Sequence, residues 1–287
     1  ILIGAEKRIK EQLKNIGLDE NFNIEIVNST DKQKREKYVK YLYKRLQRDG
    51  QLERDVDRLV RNDRIAWGSS MIACNDADAM VTGNIRHYAA SIEKLKKVVD
   101  SRKGEEIFGM TMMVSKGKTI LVADTNVRDF PTAERLVNVS ISCVRVARLF
   151  GFDPKVAFLS HSTFGKPISK NTKHVRDAIE LLKTKKVDFD FDGEMQPDVA
   201  LNPIYQEIYP FSKIVGKANI LIMPALHSAA ISTKLMKSFG GAKLIGPLLI
   251  GLGLPIEVAP LRSSTSDILN LASIAAFSSD IIDYKKN

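Results

Sequence analysis

Four groups of residues in this 287-residue chain have the types and spacing to do chemistry. The first is Arg262-Ser263-Ser264 followed by Asp267. Ser264-x-x-Asp267 is a capping-box spacing that opens a helix. A helix entrance with free N–H groups and an adjacent guanidinium forms an anion site, the best phosphate-binding constellation in the chain. The second is Ser160-His161-Ser162-Thr163, at the end of an apolar run. It supplies neutral hydroxyl donors, but a Ser-His hydrolase pair is excluded because adjacent residues at a strand end point in opposite directions. The third is the carboxylate-rich FDFDGEMQPD around Asp192 and Glu194. Without a phosphate loop or a second ligand cluster, these acids are expected to end a strand and cap a turn, and no metal site is expected. The fourth is the run Lys94, Lys96, Lys97, Arg102 and Lys103, expected to be a solvated helix face.

The elements that position these groups alternate. The first residues, ILIGA, are expected as a short strand, and a strand opening at residue one suggests a piece of a longer polypeptide. Helical periodicity runs over 5–14 and 32–46, the latter with Tyr38, Leu42 and Leu46 on one face. Strands follow at 23–27, 79–82, 108–114, 119–123, 156–160, 189–191, 220–223 and 244–245. Helices are expected at 56–67, 88–99, 133–150, 174–183, 230–239 and 265–279. Repeated strand-helix units of this length predict an α/β fold with mostly parallel sheets. Clusters of turn residues at 126–129 and 251–255 suggest two lobes, residues 1–127 plus 253–287 and residues 128–252, with a ligand cleft between them.

Composition narrows the function classes. A net charge of +10 arises from 44 Lys and Arg against 34 Asp and Glu, and the two signs are interleaved. That pattern argues against a nucleic-acid arm and suits a small polyanion. Apolar runs are broken by Gly and Pro before reaching membrane-spanning length, so neither a membrane partner nor a nucleic-acid partner is expected. Only Cys74 and Cys143 occur, which fits a reducing cytoplasm and offers no disulfide framework or zinc site.

Several separated blocks resemble one family. DADAMVTGNIRHYAASIEKLKKVV, VAFLSHST, FDFDGEMQPDVALNP and the stretch from Ala218 to Asn270 resemble phosphate acetyltransferases. The resemblance implies a two-lobed phosphate acetyltransferase-like fold and a reaction joining CoA thiol to an acyl phosphate. That reaction needs a thiol base, a phosphoryl-binding cation and an oxyanion donor. Active members carry a Ser-Arg pair, then five residues, then an Asp. Here Asp267 keeps its place, whereas the pair's positions hold Pro260 and Leu261. Arg262 lies one residue away, a rotation of about 100° at a helix entrance.

DTNVRDFPTAERL, LSHSTFG and APLRSSTSDILNLASIAA resemble most the phosphotransacetylase-like C-terminal domain of large bacterial NADP-dependent malic enzymes. The implied role is an acetyl-CoA-responsive, oligomer-forming domain, joined to an N-terminal malate-decarboxylating half that uses NADP and a divalent metal. No catalytic residue is then expected, with Asp267 as base only under the alternative of an active acetyl- or butyryltransferase. The acetyl-CoA candidates are Arg262, Ser263, Ser264, Asp267, Ser160, His161, Ser162 and Thr163. His87 joins them beside the cleft, and Lys234 matches a Lys of the acetyltransferase pattern. No Gly-x-Gly-x-x-Gly motif follows a strand, and GLGLP is expected as a turn rather than a dinucleotide site. Self-association is expected through second-lobe helices, because 133–150 carries apolar residues on more than one face.

Overall fold

The computed structural model describes residues 1–18, 24–123 and 130–281. In chain order the elements are β1 (Leu2–Ile3), α1 (Glu6–Asn15), β2 (Ile26–Val27), α2 (Lys32–Leu46), α3 (Glu53–Asn62), α4 (Arg64–Ala73), β3 (Met80–Gly83) and α5 (Tyr88–Val98). Then come β4 (Phe108–Ser115), β5 (Lys118–Ala123), α6 (Ala133–Leu149), β6 (Lys155–Leu159), α7 (Lys173–Thr184), β7 (Asp190–Met195) and α8 (Pro197–Leu201). The chain continues through β8 (Ile220–Ile222), α9 (Leu226–Ser238), β9 (Lys243–Ile250), β10 (Ile256–Ala259) and α10 (Thr265–Ile281).

The largest sheet has six strands in the order β7-β6-β8-β5-β4-β9. Pairing is parallel from β7 to β5 and antiparallel on both sides of β4, because the tight turn at Lys116-Gly117 returns β4 directly into β5. Apolar layers cover both faces. One holds Phe108, Met110, Leu121, Phe158 and Ile220 with α6 and α7, and the other holds Ala157, Leu159, Leu221 and Met223.

Two short parallel pairs, β1 with β2 and β3 with β10, belong to the remaining part of the molecule. They pack with α2, α3, α4 and α5 around Tyr38, Leu42 and Trp67, where the Tyr38 and Trp67 rings meet edge to face at 4.9 Å. Helix α10 returns to pack on β10, β3 and β9.

Several sequence expectations shift. The helix expected over 56–67 is two helices, because the extended backbone of Asp63 breaks it. The Asp63 carboxylate accepts the Ile65 N–H at 2.9 Å and the Ala66 N–H at 3.4 Å, capping α4. The expected strand at 244–245 extends over eight residues, and the four-residue β10 was not anticipated. The lobe division expected at 126–129 lies outside the described residues. β4 and β5, which precede it, are hydrogen-bonded into the same sheet as the strands that follow it.

Most of the apolar residues of α6 face the protein's own core, with Ile141 37% exposed. Leu136, Val137, Val144 and Val146 are all buried within the chain, and Phe150 stacks on Phe277 of α10 at 5.8 Å. Large exposed apolar side chains lie instead on α9, where Ile231 and Leu235, with Phe239 at its end, are spaced four residues apart on one face. No helix among the described residues is long and apolar enough to cross a membrane.

Candidate functional site

The loop from β10 to α10 is fixed by β3. The Asn84 N–H donates to the Ala259 carbonyl at 3.0 Å, and the Arg262 N–H donates to the Asn84 carbonyl at 3.1 Å. Both Asn84 (φ 67°) and Arg262 (φ 60°) have left-handed backbones, so the chain doubles back at two points to bring these loops together. The Arg262 side chain is exposed and forms no ion pair among the described residues. His87 stands three residues beyond Asn84, at the start of α5, with its ring exposed.

Ser264 and Asp267 form the capping box that their spacing predicts. The Ser264 N–H donates to Asp267 Oδ2 at 3.0 Å, and the Asp267 N–H donates to Ser264 Oγ at 3.2 Å. Burial acts to raise the Asp267 carboxyl. The Ser264 N–H and hydroxyl, with Lys237 and Lys243 nearby, outweigh it and hold the group below the usual carboxylate range. Ser263 is also engaged, its hydroxyl donating to the Pro260 carbonyl at 2.8 Å. The lysines whose charge reaches Asp267 are Lys237 and Lys243, whereas Lys234 is exposed on α9.

The second candidate group is organised by Glu194, only 1% exposed. Its Oε1 accepts the Ser162 hydroxyl at 2.8 Å, the Gly165 N–H at 3.2 Å and Arg176 Nη1 at 3.2 Å. Ser160 Oγ lies 3.2 Å from Ser162 Oγ, the Gln196 N–H donates to Thr163 Oγ1 at 3.2 Å, and Gln196 Nε2 donates to the His161 carbonyl at 2.7 Å. Ser160, Ser162 and Thr163 are buried and spend their polar atoms inside this network, while the His161 side chain is exposed. This loop is therefore built for rigidity. Glu194 as its hub was not anticipated, although it sits in the DGE segment that drew attention as a carboxylate cluster.

A second carboxylate of that segment is also occupied. Asp192 accepts the Gly193 N–H at 2.9 Å and the Lys213 N–H at 2.7 Å, but it and Glu194 lie inside β7 instead of ending a strand as expected. No group of three or more His, Cys, Asp or Glu residues could hold a metal ion among the described residues. The GLGLP glycines serve backbone packing: a Cβ on Gly251 would lie 2.1 Å from the Glu106 carbonyl oxygen, and one on Gly253 2.9 Å from that of Asp100. The residues present do not fit a dinucleotide phosphate loop.

The fold thus makes two clusters, Arg262 to Asp267 beside Asn84 and Ser160 to Thr163 around Glu194. No hydrogen bond or ion pair joins them among the described residues. None of the ten residues singled out from sequence lines the cavity of about 1000 Å³ between β1, α4, β3 and α10.

The phosphate acetyl/butaryl transferase family model matches residues 1–276. The NADP-dependent malic enzyme of Rhizobium meliloti (strain 1021) is 42% identical over 278 residues, covering 96% of this chain and 36% of that protein. The phosphate acetyltransferase of Clostridium acetobutylicum is 29% identical over 283 residues, or 84% of its length. The chain therefore spans little more than a third of the malic enzymes it matches. Among solved structures, the EutD phosphotransacetylase from Staphylococcus aureus superposes with a TM-score of 0.86 at 26% identity, covering 97% of this chain and 86% of that one. With the matched model running over nearly the whole of an α/β fold that superposes on a phosphotransacetylase, this chain belongs to the phosphate acetyl/butaryl transferase family.

Proposed function

We propose that the chain is a degenerate phosphotransacetylase domain that binds acetyl-CoA as an effector and self-associates, serving an NADP-dependent malic enzyme rather than catalysing acyl transfer. The observation that carries this reading is the β10–α10 loop. Pro260 and Leu261 hold the positions where the resemblance requires a Ser-Arg pair. The retained Asp267 turns its carboxylate back onto the Ser264 N–H. A carboxylate held below its ordinary value by that bond is a poor proton acceptor for a thiol. Loss of a single oxyanion donor costs about 10²- to 10³-fold in rate, and here the cation is displaced as well.

The same loop retains what binding needs. The exposed Arg262 guanidinium stands beside the first turn of α10, whose dipole favours a phosphate. The 42% identity to a malic enzyme supports the assignment of the parent activity, malate oxidative decarboxylation with NADP and a divalent metal in a separate N-terminal domain. Cytoplasmic location belongs to the same reading. Self-association is assigned to the exposed apolar stripe of α9.

Titration calorimetry with acetyl-CoA and a transfer assay with acetyl phosphate and CoA test the proposal together. Binding without turnover is expected, with a stabilisation of about 2.7 kcal/mol at a hundredfold excess over Kd. Arg262→Ala weakens that binding and leaves the unliganded Tm unchanged. Turnover that disappears in Asp267→Asn would establish an active acyltransferase instead, and absence of binding to the folded chain would leave a structural module.

A further inference from the structure

The end of the six-stranded sheet where its parallel strands begin carries a row of lysines. Strands β5 and β8 pair in parallel with Leu121 opposite Ile220 and Val122 opposite Leu221, and the Leu121 N–H donates to the Asn219 carbonyl at 2.8 Å. Carried back by three residues, the same register sets Lys118, the first residue of β5, opposite Lys217. Both share the parity of Val122 and Leu221, which are buried together in one core layer, so the two lysines leave the same face of the sheet. Neighbouring strands are about 4.8 Å apart, which brings two such side chains into contact.

A third amine closes the group. Lys155, which opens β6, donates through Nζ to the Val215 carbonyl at 2.7 Å, and that Nζ lies 3.8 Å from where a Cβ on Gly216 would stand. Lys118 and Lys217 are exposed, and neither forms an ion pair among the described residues. Asp190, which lies opposite Lys155 in this row, is two strands away from Lys217.

A protonated lysine has three donors and no acceptor, so two lysines can share a hydrogen bond only when one accepts through a neutral Nζ. Lys118 lies within that reach of Lys217, and the bond together with the Lys118 charge holds Lys217 below the usual lysine range. A neighbouring cation is one of the ways in which a protein frees a lysine lone pair for attack. The remaining ammonium groups of Lys118 and Lys155 draw anionic reagents toward the same spot.

We propose that Lys217 is a site of direct acetylation by activated acetyl donors, with Lys118 as the residue that activates it. The neutral Nζ attacks the acetyl carbonyl carbon. A C–N bond forms as the C–S bond of a thioester, or the C–O bond of an acyl phosphate, breaks. The leaving group departs with the electron pair as thiolate or phosphate, and the surplus proton on nitrogen passes to solvent. The product is an uncharged amide, so acetylation of Lys217 also removes the charge that acts on Lys118. The pair therefore takes one acetyl group rather than two. The site lies at the opposite end of β6 from Ser160 to Thr163, and the inference does not depend on the effector reading.

Peptide mass spectrometry of the 287-residue chain tests the site, with acetyl-CoA and acetyl phosphate in separate incubations near neutral pH. With either donor Lys217 gains acetyl about fivefold faster than Lys40 and Lys170, the factor expected for two unit charges in contact in water. Those references are exposed lysines with no ion pair among the described residues. Lys118→Gln brings Lys217 down to the reference rate, whereas Lys118→Arg, which keeps the charge, leaves it fast. Equal rates at Lys217, Lys40 and Lys170 overturn the proposal, as does a Lys217 rate unchanged in Lys118→Gln or equally fast acetylation of both members of the pair. Acceleration with acetyl-CoA alone would assign the effect to docking of the nucleotide end and overturn the amine pair as its cause. Failure of acetyl-CoA to bind as an effector leaves the acetyl phosphate result standing, so the two readings are tested separately.

Discussion

Replacing Glu257 by Gln isolates a carboxyl that the fold holds far above its ordinary range. Glu257 lies in β10, 5% exposed, and its Oε2 accepts the Leu249 N–H of β9 at 2.9 Å. That bond joins the β3–β10 pair to the edge of the six-stranded sheet. Burial pushes the carboxyl up to about 8 from 4.5, and the Leu249 N–H opposes the rise only in part. A group raised on folding binds its proton more tightly in the folded state, so its contribution to stability falls as pH rises from about 4.5 to about 8 and is level above that. At about 1.4 kcal/mol per pH unit, the loss reaches about 3 kcal/mol by pH 7 and is capped near 5 kcal/mol above pH 8. Gln keeps an acceptor for Leu249 and cannot ionise. Urea unfolding at a series of pH values should therefore show the wild-type stability falling relative to Glu257→Gln across this window, with no comparable divergence below pH 4. Parallel curves for the two proteins from pH 5 to pH 9 would refute the reasoning.

The other tests concern the Glu194 hub and the α9 stripe. Glu194→Ala leaves the buried Ser162 hydroxyl and the Arg176 guanidinium without their shared acceptor, and chemical denaturation should show a loss of about 3 kcal/mol. If the Ser160 to Thr163 loop is instead held by its backbone bonds alone, the loss will stay below about 1 kcal/mol. On α9, where Leu235 is 61% and Phe239 92% exposed, the double change Leu235→Glu and Phe239→Glu should convert a self-associated species to monomer in sedimentation velocity without lowering Tm. An unchanged sedimentation coefficient would move the interface elsewhere.

Most of the alternation of strand and helix was legible because periodicity is a local property. The 3.6-residue spacing in α2 put Tyr38, Leu42 and Leu46 on one buried face, and all three are buried. The errors arose where tertiary pairing decides. β10 is four residues of Ile-Glu-Val-Ala with an acidic residue type inside an apolar run, too short and too mixed for a pattern, and it exists because β3 lies beside it in register. The break between α3 and α4 rests on Asp63, a competent cap that the continuous helical pattern concealed. Asp63 also forms ion pairs with Arg86 and Lys94, so a residue in an apparent helix interior is a junction of three elements. Helix α6 misled in the other direction. Apolar residues on several faces indicate that a helix is surrounded, but sequence does not say whether its own chain or another copy surrounds it, and here the sheet, α7 and α10 do.

The candidate site was legible as chemistry and less so as allocation. Side-chain type and spacing identified the capping box of Ser264 and Asp267 and the hydroxyls of Ser160 to Thr163. Whether those atoms are available to a ligand depends on partners distant in sequence, such as Glu194, 32 residues from Ser162. Once such partners are counted, Ser162 and Asp267 are largely satisfied from within, and Arg262 is the cation of the loop whose side chain still faces solvent. Its backbone is the more constrained part, since the left-handed turn and the N–H donated to Asn84 fix where the side chain emerges. Anything that grips this guanidinium therefore also bears on Asn84 and, through the Asn84 N–H to Ala259 bond, on the β3–β10 pair. Glu257, two residues before Ala259, carries the same strand to β9. Arg262 and the Glu257 bond to β9 thus lie on one short covalent path, so the loop that presents the guanidinium and the contact between the β3–β10 pair and the six-stranded sheet are fixed by the same strand.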